Sequence, residues 1–427
     1  MKFTQHELGP GVRLHLCPTD KFKTLTCKVF IQQELRPWEA ASTALVPLLL
    51  RRGSQKLPTT LDLARQLEEL YAADFGSDVL KIGERQILEF QFQMIDPSYL
   101  PQGNMLMRRG LETFWEIASR PYGNGSFHEP YFEQEKHTLL QELEGLVNDK
   151  RAYALARCTA LMCQGEPFGI YKYGDADTVR SLANQEVYGH YQKLLHSYPL
   201  DIFVVGSQAE QAAQLLAELI PGREGQIQLE PAQQVEVGQP RYFEEHMDVQ
   251  QAVVVMGYRT NTSYLDEDYY ALLVGNGILG GFAHSKLFIN VRERAQLAYY
   301  VWSSLEGSKG LLTISAGIGP EQQGQALQII EAQVREVQEG RISPEELEQT
   351  KLGLIRSMNS MNDSPSGLID RNLIGIVHDR MRTIEEVVES IAVVDRKAVV
   401  RAMEKVQLDT TYILRPSPQK GADHGTD

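Results

Sequence analysis

Alternation of apolar and polar residues predicts strands and helices in turn along the first half of the chain. Residues 10–34 alternate and are rich in strand-forming side chains, which predicts a hairpin. Four leucines recur along one side of residues 60–75, which predicts an amphipathic helix. Further periodic segments predict a strand over 87–96, helices over 104–119, 130–165 and 185–196, and a buried strand over 200–207.

The second half repeats this order of strands, helices and a closing strand. Residues 221–241 are rich in glycine, proline and glutamine, which predicts a linker between two folded halves. Strands are predicted after it over 249–258, 298–306, 310–318 and 410–416, with helices near 264–279, 284–294, 320–339, 343–361 and 384–405. We therefore predict a duplicated α+β fold, with one domain over 1–220 and a second over 242–427.

Composition and charge narrow the class of protein. The chain has 427 residues, of which 42% are hydrophobic and 23% are charged, as in an ordinary globular protein. A net charge of −14 without a basic run disfavours nucleic acid and anionic membrane surfaces as partners. The N-terminus lacks an apolar signal-peptide core, and the longest apolar run, Ala44–Leu50, is far shorter than the roughly 20 residues of a membrane span. We expect a soluble cytoplasmic protein.

The histidines and cysteines are not spaced like the ligands of a metal site. No two of the ten histidines are four residues apart, the spacing that lets two imidazoles of one helix hold a zinc ion. Neither H-E-x-x-H nor H-x-x-E-H occurs, and the four cysteines contain no C-x-x-C pair. The sequence therefore disfavours a zinc hydrolase that binds its own metal.

Residues 275–280 match G-x-G-x-x-G, the letters of a dinucleotide-binding turn. The residues before them follow a helical pattern, whereas that turn requires a preceding strand within a βαβ unit. A glycine-rich loop that lets another backbone approach closely explains the spacing better.

Two pairs of side chains could carry chemistry, and each also has an ordinary structural explanation. Arg292 and Tyr299 lie on a predicted helix and the strand after it, where a guanidinium and a phenol could hold a peptide carbonyl and a developing oxyanion. By spacing alone, an exposed helical arginine and a half-buried strand tyrosine are the stronger explanation. Glu135 and Glu142 are seven residues apart and share a helix face, which an acidic solvent-facing surface explains.

The segment GGFAHSKLFINVRERAQLAYYVWSSLEG, residues 280–307, resembles the signature of the inverzincin peptidases. This family includes insulinase, pitrilysin and the mitochondrial processing peptidase, and its glycine-rich loop, L-F-x-x-(I/V)-R-E helix and G-L-A-Y strand follow in this order. Residues 166–207 and 342–355 are similar to two further stretches of the family. The resemblance implies an α+β fold of two homologous domains, each with a mostly antiparallel sheet packed by helices.

The resemblance also locates the zinc motif of the family, H-x-x-E-H, at positions where this chain has no ligands. Ala44 and Leu48 stand at the two histidine positions, and Pro47 stands at the position of the catalytic glutamate. The third ligand falls on Glu142, with Glu135 as its upstream partner, and one carboxylate does not make a zinc site. The resemblance therefore implies a degenerate motif and no cofactor on this chain. Pro47 further predicts that the helix begins or kinks there.

Arg292 and Tyr299, by contrast, keep the seven-residue spacing at which the family binds substrate main chain and stabilises the tetrahedral intermediate. Some members divide these roles between a zinc-bearing subunit and a subunit that keeps only the Arg/Tyr pair. This chain resembles the second kind, the YfmF-type subunits that occur beside a zinc-bearing YfmH-type subunit. The resemblance implies that the pair acts in trans, that Gly277, Gly280 and Gly281 help to bind an extended peptide, and that zinc lies on the partner.

Three hypotheses about function remain open at this point. In the first, the chain is the non-zinc-binding subunit of a heterodimeric peptidase that hydrolyses extended peptides. In the second, it is a catalytically inactive scaffold that binds peptides or proteins, and the isolated chain forms a homodimer or stays a monomer. In the third, it is a self-sufficient hydrolase that uses other residues. The subfamily is also associated by name with modification of elongation factor P.

Overall fold

The computed structural model describes residues 1–220, 227–229, 235 and 237–417, so much of the predicted linker 221–241 lies outside the described residues. The strands are β1 (Thr4–Gly9), β2 (Val12–Pro18), β3 (Thr24–Glu34), β4 (Asp74–Ile82), β5 (Arg85–Ile95), β6 (Leu200–Gly206), β7 (Arg241–Met247), β8 (Ala252–Arg259), β9 (Ala298–Glu306), β10 (Leu311–Ile318) and β11 (Gln407–Pro416). The α-helices are α1 (Pro37–Leu50), α2 (Thr60–Glu69), α3 (Gly103–Ser119), α4 (Glu129–Gly145), α5 (Lys150–Met162), α6 (Ala176–Ser181), α7 (Asn184–Ser197), α8 (Ala209–Leu219), α9 (Tyr269–Asn276), α10 (Gln323–Gln338), α11 (Pro344–Ser360), α12 (Pro365–Val377), α13 (Ile384–Ala392) and α14 (Arg396–Met403). Two π-helical turns, Gly277–Gly281 and Phe288–Arg294, lie between α9 and β9. Within the described ranges, no helix is long and apolar enough to cross a membrane.

The strands form two mixed sheets that are connected in the same way. Their orders are β1-β2-β6-β3-β5-β4 and β7-β11-β8-β10-β9. The pairs β2·β6 and β7·β11 are parallel, and the other neighbours are antiparallel. Apart from β1, every strand of the first sheet has a counterpart in the second, and β4 and β9 are equivalent edge strands. The predicted α+β fold with two mostly antiparallel sheets is confirmed.

The chain forms two compact units, and each unit is built from three separate segments of the sequence. The first comprises Met1–Gly145, Glu166–Gln233 and Ser360–Thr383, and the second comprises Leu146–Gly165, Gln234–Asn359 and Ile384–Asp427. Helix α5 thus belongs to the second unit, and α12 belongs to the first. The boundaries predicted from sequence, 1–220 and 242–427, stay a prediction.

The sheet of the first unit is covered on both faces. Helices α1, α3, α7 and α8 pack on one face, and α12 packs on the other through apolar side chains that include Leu368 and Leu373. Strands β3 and β6 are consequently buried at almost every position instead of alternating. Lys28 of β3 is buried and lies 2.7 Å from Glu89 of β5 and 2.8 Å from Asp370 of α12, which ties this helix to the sheet.

Helix α5 covers one face of the second unit's sheet in the same way. Its buried Cys158 packs among apolar side chains of β8 and β11. Arg241 and Arg259 donate to the carbonyl of Met162 at 2.9 and 3.0 Å, so two cations meet the negative end of the helix dipole. The remaining apolar side chains of this unit form a separate core on the opposite side of the strands.

Several elements differ from the sequence predictions. Strands β2 and β3 do not form the predicted hairpin, because β6 lies between them and pairs with both. The predicted helix over 130–165 is two helices, and Asp149 caps the second by accepting from the N–H groups of Arg151 and Ala152. The predicted helix over 384–405 is likewise divided into α13 and α14, and neither α12 nor β7 was predicted.

Candidate functional site

Helix α1 carries the three positions that correspond to the lost zinc motif. It begins at Pro37, where a missing N–H costs nothing, and continues through Pro47. The prediction that the helix begins at Pro47 is therefore wrong, and the hydroxyl of Ser77 donates to the Pro47 carbonyl at 3.1 Å. Ala44 is buried and Leu48 packs against the core of the first unit. None of the three side chains offers a metal ligand or a proton acceptor.

The two glutamates of α4 lie in different environments. Glu135 is buried and forms an ion pair with Arg52, whereas Glu142, two turns later, is exposed. The prediction of one solvent-facing acidic surface is wrong for Glu135, because Arg52 compensates its charge in the interior. Among the residues that the structure describes, no three His, Cys, Asp or Glu side chains come together as a metal site. The side chains at the motif positions therefore do not fit zinc.

Strand β4, the edge strand beside α1, has main-chain groups that are already bound by side chains. Arg51, just after α1, donates to the carbonyl of Ser77 at 2.5 Å. Lys172 donates to the carbonyl of Val79 at 3.2 Å, and the N–H of Val79 donates to Asp78 at 2.8 Å. An added strand would need such groups for its own hydrogen bonds. This edge of the first unit is therefore protected against strand addition.

Arg292 is positioned by an irregular stretch of helix in the second unit. It lies in the π-helical turn Phe288–Arg294. Just after this turn, the N–H of Leu297 donates to the Val291 carbonyl at 3.0 Å. Gln296, which lies between Val291 and Leu297 in the chain, has a φ of 54°, a left-handed conformation that costs a non-glycine residue about 1–2 kcal/mol. Both π-helical turns and strained φ angles concentrate at functional sites.

Tyr299 is positioned by a β-bulge at the start of edge strand β9. Gly317 of β10 pairs with Tyr300, and the next residue, Ile318, pairs with Ala298, so Tyr299 is the extra residue. A bulge turns the side chain of its extra residue away from the regular alternation of the strand. The side chain of Tyr299 is 77% exposed, which is high for a large aromatic residue. The bulge thus directs the phenol away from the core.

The structure brings Arg292 and Tyr299 to the wall of one cavity of about 450 Å³. Three residues that were not predicted from the sequence line the same cavity: Gln251, Gln296 and Gln322. The letters around Gln296 contain no signal for its left-handed backbone, since glycine is the usual residue there. Gln251 and Gln322 come from distant parts of the chain, so no local pattern could group them.

The Arg292 guanidinium is available to a ligand. Its Nε lies 4.0 Å from Glu293, beyond hydrogen-bonding distance, and its centre lies 4.8 Å from the Phe288 ring. Among the described residues, no group accepts a hydrogen bond from this guanidinium. A cation above an aromatic face is held in place without using its N–H donors. The five donors therefore remain free for a carbonyl or an oxyanion.

The glycines predicted to bind substrate lie in the π-helical turn Gly277–Gly281 rather than in a loop. A Cβ on Gly280 would come within 2.6 Å of the Ser303 nitrogen in β9, and one on Gly277 within 2.5 Å of Thr350. Both glycines are buried, whereas Gly281 is exposed. The loop prediction is wrong because the segment continues the helical winding of α9. The close approach of another backbone at Gly280 is confirmed.

A second cavity, of about 530 Å³, also borders the π-helical turn Phe288–Arg294. Buried Lys286 in its wall lies 3.3 Å from Glu336 and 3.0 Å from Glu346. Burial raises the pKa of Glu346, but bonds from Ser343 and from the Lys286 ammonium outweigh it, so the pKa is lowered. Lys286 is thus engaged by two carboxylates of the protein itself. None of these residues was predicted from the sequence as a site residue.

Comparison with known proteins gives matches that extend over nearly the whole chain. "Probable inactive metalloprotease YmfF" of Bacillus subtilis (strain 168) is 34% identical over 410 residues, covering 95% of this chain and 96% of that protein. "Uncharacterized zinc protease YmxG" of the same organism is 31% identical over 160 residues, covering 36% and 38%. The crystal structure of a conserved protein from Enterococcus faecalis V583 is similar with a TM-score of 0.88 and 28% identity, covering 98% of this chain and 99% of that chain.

A family model described as "Peptidase M16 inactive domain" matches residues 181–354, which include Arg292 and Tyr299. The whole-length match to a protein named as an inactive metalloprotease agrees with the absence of ligand atoms at Ala44, Pro47 and Leu48. The chain is thus a homologue of inactive M16 metalloproteases, and it belongs to the peptidase M16 family.

Proposed function

We propose that this chain is the non-zinc-binding subunit of a heterodimeric M16 peptidase and supplies Arg292 and Tyr299 to the active site of a zinc-bearing partner. The observation that carries the proposal is an asymmetric loss. The zinc-motif positions have no ligand atoms, while Arg292 and Tyr299 share one cavity. A protein without a role in cleavage would have no need to hold this pair on a π-helical turn and a β-bulge.

The chemistry would be divided between the two subunits. Zinc on the partner would polarise the scissile carbonyl and activate a water molecule. On this chain, the Arg292 guanidinium would donate to a substrate carbonyl, and the Tyr299 hydroxyl would donate to the oxyanion as it forms. Donors that face a developing oxyanion are each worth about 10²–10³-fold in rate. Loss of either side chain should therefore reduce turnover strongly.

The substrate we propose is an extended peptide that lies along β9. This strand is an edge strand of its sheet. Tyr299 and the cavity that it shares with Arg292 lie at the N-terminal end of the strand. Main-chain hydrogen bonds to an edge strand hold a peptide with little dependence on its sequence. The equivalent edge, β4, has Ser77 and Val79 already bound by side chains, which favours β9 as the substrate edge.

The glycines of the turn Gly277–Gly281 would contribute to substrate binding mainly because their lack of side chains permits close packing. Buried Gly277 and Gly280 allow the turn to pack against neighbouring side chains and β9, and so they support the position of Tyr299. Gly281 is exposed and is the member of the set that a peptide could touch. We therefore propose an indirect role in substrate binding for the first two and a direct role for Gly281.

The partner we propose is a zinc-bearing homologue of the YfmH type. The partial match to YmxG, which is named as a zinc protease, supports a relative that keeps zinc. We propose a cytoplasmic location, because Cys17, Cys27, Cys158 and Cys163 are all free and buried, as in proteins of reducing compartments. The association with modification of elongation factor P also stays a prediction.

The test uses the complex purified from its own cells through a tag on this chain. Arg292→Ala and Tyr299→Phe should each lower kcat on a peptide substrate at least about 100-fold, with an unchanged heterodimer mass in native mass spectrometry. Arg294→Ala is the matched control, because Arg294 lies in the same π-helical turn but lines the 530 Å³ cavity. Full cleavage by the Arg292→Ala/Tyr299→Phe double variant would show that the proposal is wrong.

A catalytically inactive scaffold is the second candidate. The word "inactive" in the names of the relative and of the family model favours it. Native mass spectrometry separates the two candidates by reading assembly mass and zinc content together. A mass near twice that of the chain, with one zinc and a second polypeptide, supports the shared active site, whereas a zinc-free homodimer or monomer supports the scaffold.

A further inference from the structure

Three glutamines give the cavity beside Arg292 and Tyr299 an unusual lining. Gln251, Gln296 and Gln322 are all exposed, and each contributes to its wall. Among the described residues, no hydrogen bond engages any of the three side-chain amides. Each amide therefore has its carbonyl oxygen and its two N–H donors available for a bound molecule.

The chemistry of this lining matches a peptide bond better than a charged side chain. A glutamine amide can donate to a main-chain carbonyl and accept from a main-chain N–H at the same time. The charged lining residues, Arg292 and Glu293, are of opposite sign, so the cavity has no net charge that would select a basic or acidic residue. Gly317 and Gly319 also line the cavity, and because they have no side chains they leave room for the main chain of a bound peptide.

The backbone of Gln296 supplies an independent observation. Its φ of 54° would suit glycine, yet the chain places a long amide side chain there, between Arg292 and Tyr299. Strained positions persist where the surrounding structure requires them and often mark functional residues. In this conformation Gln296 lines the cavity together with Arg292 and Tyr299.

We propose that Gln296, assisted by Gln251 and Gln322, binds main-chain amide groups of an extended peptide and positions it beside Arg292 and Tyr299. The ligand class is an uncharged peptide backbone, irrespective of side chains. This inference rests on the proposed function, since it names how the same cavity recognises its substrate. The glutamines are positioning residues, and they take no part in bond breaking.

The test measures binding to this chain alone, without a partner. The probe is a fluorescein-labelled twelve-residue peptide of alternating alanine and serine, which offers almost nothing but main chain, and the readout is fluorescence anisotropy. Gln296→Gly should raise Kd about tenfold, the loss of one or two hydrogen bonds. Gln296→Asn keeps an amide and tolerates a left-handed backbone, so its Kd should stay within about threefold of the wild type.

Two further variants complete the set. The triple variant Gln251→Ala/Gln296→Gly/Gln322→Ala should raise Kd at least about 100-fold, whereas Gln325→Ala, an exposed glutamine of α10, should leave it unchanged. Glycine suits the φ of residue 296, so Gln296→Gly should not lower Tm, and weaker binding cannot then be attributed to unfolding. A Kd of the triple variant within twofold of the wild-type Kd would overturn the inference. So would a wild type that does not bind the probe at about 1 mM, the range of weak peptide affinities.

Peptide affinity and cleavage by the complex test the role of the glutamines and the catalytic role of Arg292 separately. Unchanged peptide affinity in the triple variant, with cleavage by the complex still lost in Arg292→Ala, would remove only the role of the glutamines. Weakened affinity in the triple variant, with cleavage by the complex intact in Arg292→Ala, would remove the catalytic role and leave a peptide-binding site.

Discussion

Replacing Gly280 by alanine should weaken the contact between the π-helical turn Gly277–Gly281 and β9. The added Cβ would lie 2.6 Å from both the nitrogen and the hydroxyl of Ser303, and 2.8 Å from a methyl group of Leu287. A strand backbone cannot move by several tenths of an ångström without disturbing its hydrogen bonds to β10. Over-packing of this kind typically costs about 1–3 kcal/mol of the free energy of unfolding.

Gly281, the next residue, provides the matched control. A Cβ there would lie 3.5 Å from the carbonyl oxygen of Asn276, an ordinary van der Waals contact. Gly281→Ala should therefore leave stability unchanged or raise it by up to about 1 kcal/mol through helix propensity. The two variants add the same atom to neighbouring positions of one turn, so only the local packing differs between them.

Hydrogen exchange measured by mass spectrometry is the suitable assay, because it reports on β9 separately from the rest of the chain. Gly280→Ala should raise exchange over 298–306, and urea unfolding should show a lower midpoint, whereas Gly281→Ala should do neither. Since β9 carries Tyr299, Gly280→Ala should also reduce cleavage by the complex. Equal stability of the two variants would refute the packing argument. Loss of cleavage in Gly281→Ala, with stability intact, would point to direct peptide contact at this glycine.

Two further predictions concern buried polar groups of the first unit. Lys28→Met should cost about 3–5 kcal/mol and raise hydrogen exchange in α12, because Glu89, whose side chain is only 13% exposed, is left without its cation. A Lys28→Met/Glu89→Leu double variant that recovers none of this stability would contradict that explanation. Burial, reinforced by the charge of Lys193, lowers the pKa of His190 to about 4. The unfolded imidazole binds a proton first, so stability should be full above pH ~6.5 and fall by about 3 kcal/mol as pH drops to about 4. Urea unfolding across this range should show the loss in the wild type and a flatter profile in His190→Gln; equal profiles would refute it.

Local periodicity predicted most of the individual elements. Strand β5 was predicted over 87–96 and observed at Arg85–Ile95, and helix α10 was predicted over 320–339 and observed at Gln323–Gln338. Such segments are predictable because the burial of alternate or every third to fourth residue is a property of the segment itself. The pairing of β2 with β6 was not predicted, because Pro18 and Leu200 are 182 positions apart and no local signal connects them.

The candidate site was only partly accessible from the sequence. The resemblance identified Arg292 and Tyr299, although by their spacing alone an exposed helical arginine and a half-buried strand tyrosine were the stronger explanation. The bulge at Tyr299 depends on how β9 pairs with β10. Neither this bulge nor the left-handed backbone at Gln296 has a local signal in the sequence. The glutamines at 251 and 322 join the site only because β8 and β10 are neighbours in the sheet.

The sequence by itself determined that the zinc-motif positions of this chain have no chemistry to offer, because Ala44, Pro47 and Leu48 carry no ligand atoms in any conformation. The tertiary structure decided which edge strand is occupied by side chains and which residues line a cavity with Arg292. It also decided that α5 and α12 each pack in the unit formed mainly by the other half of the chain. Those outcomes depend on contacts between residues far apart in sequence, whereas a missing donor atom is a property of the residue alone.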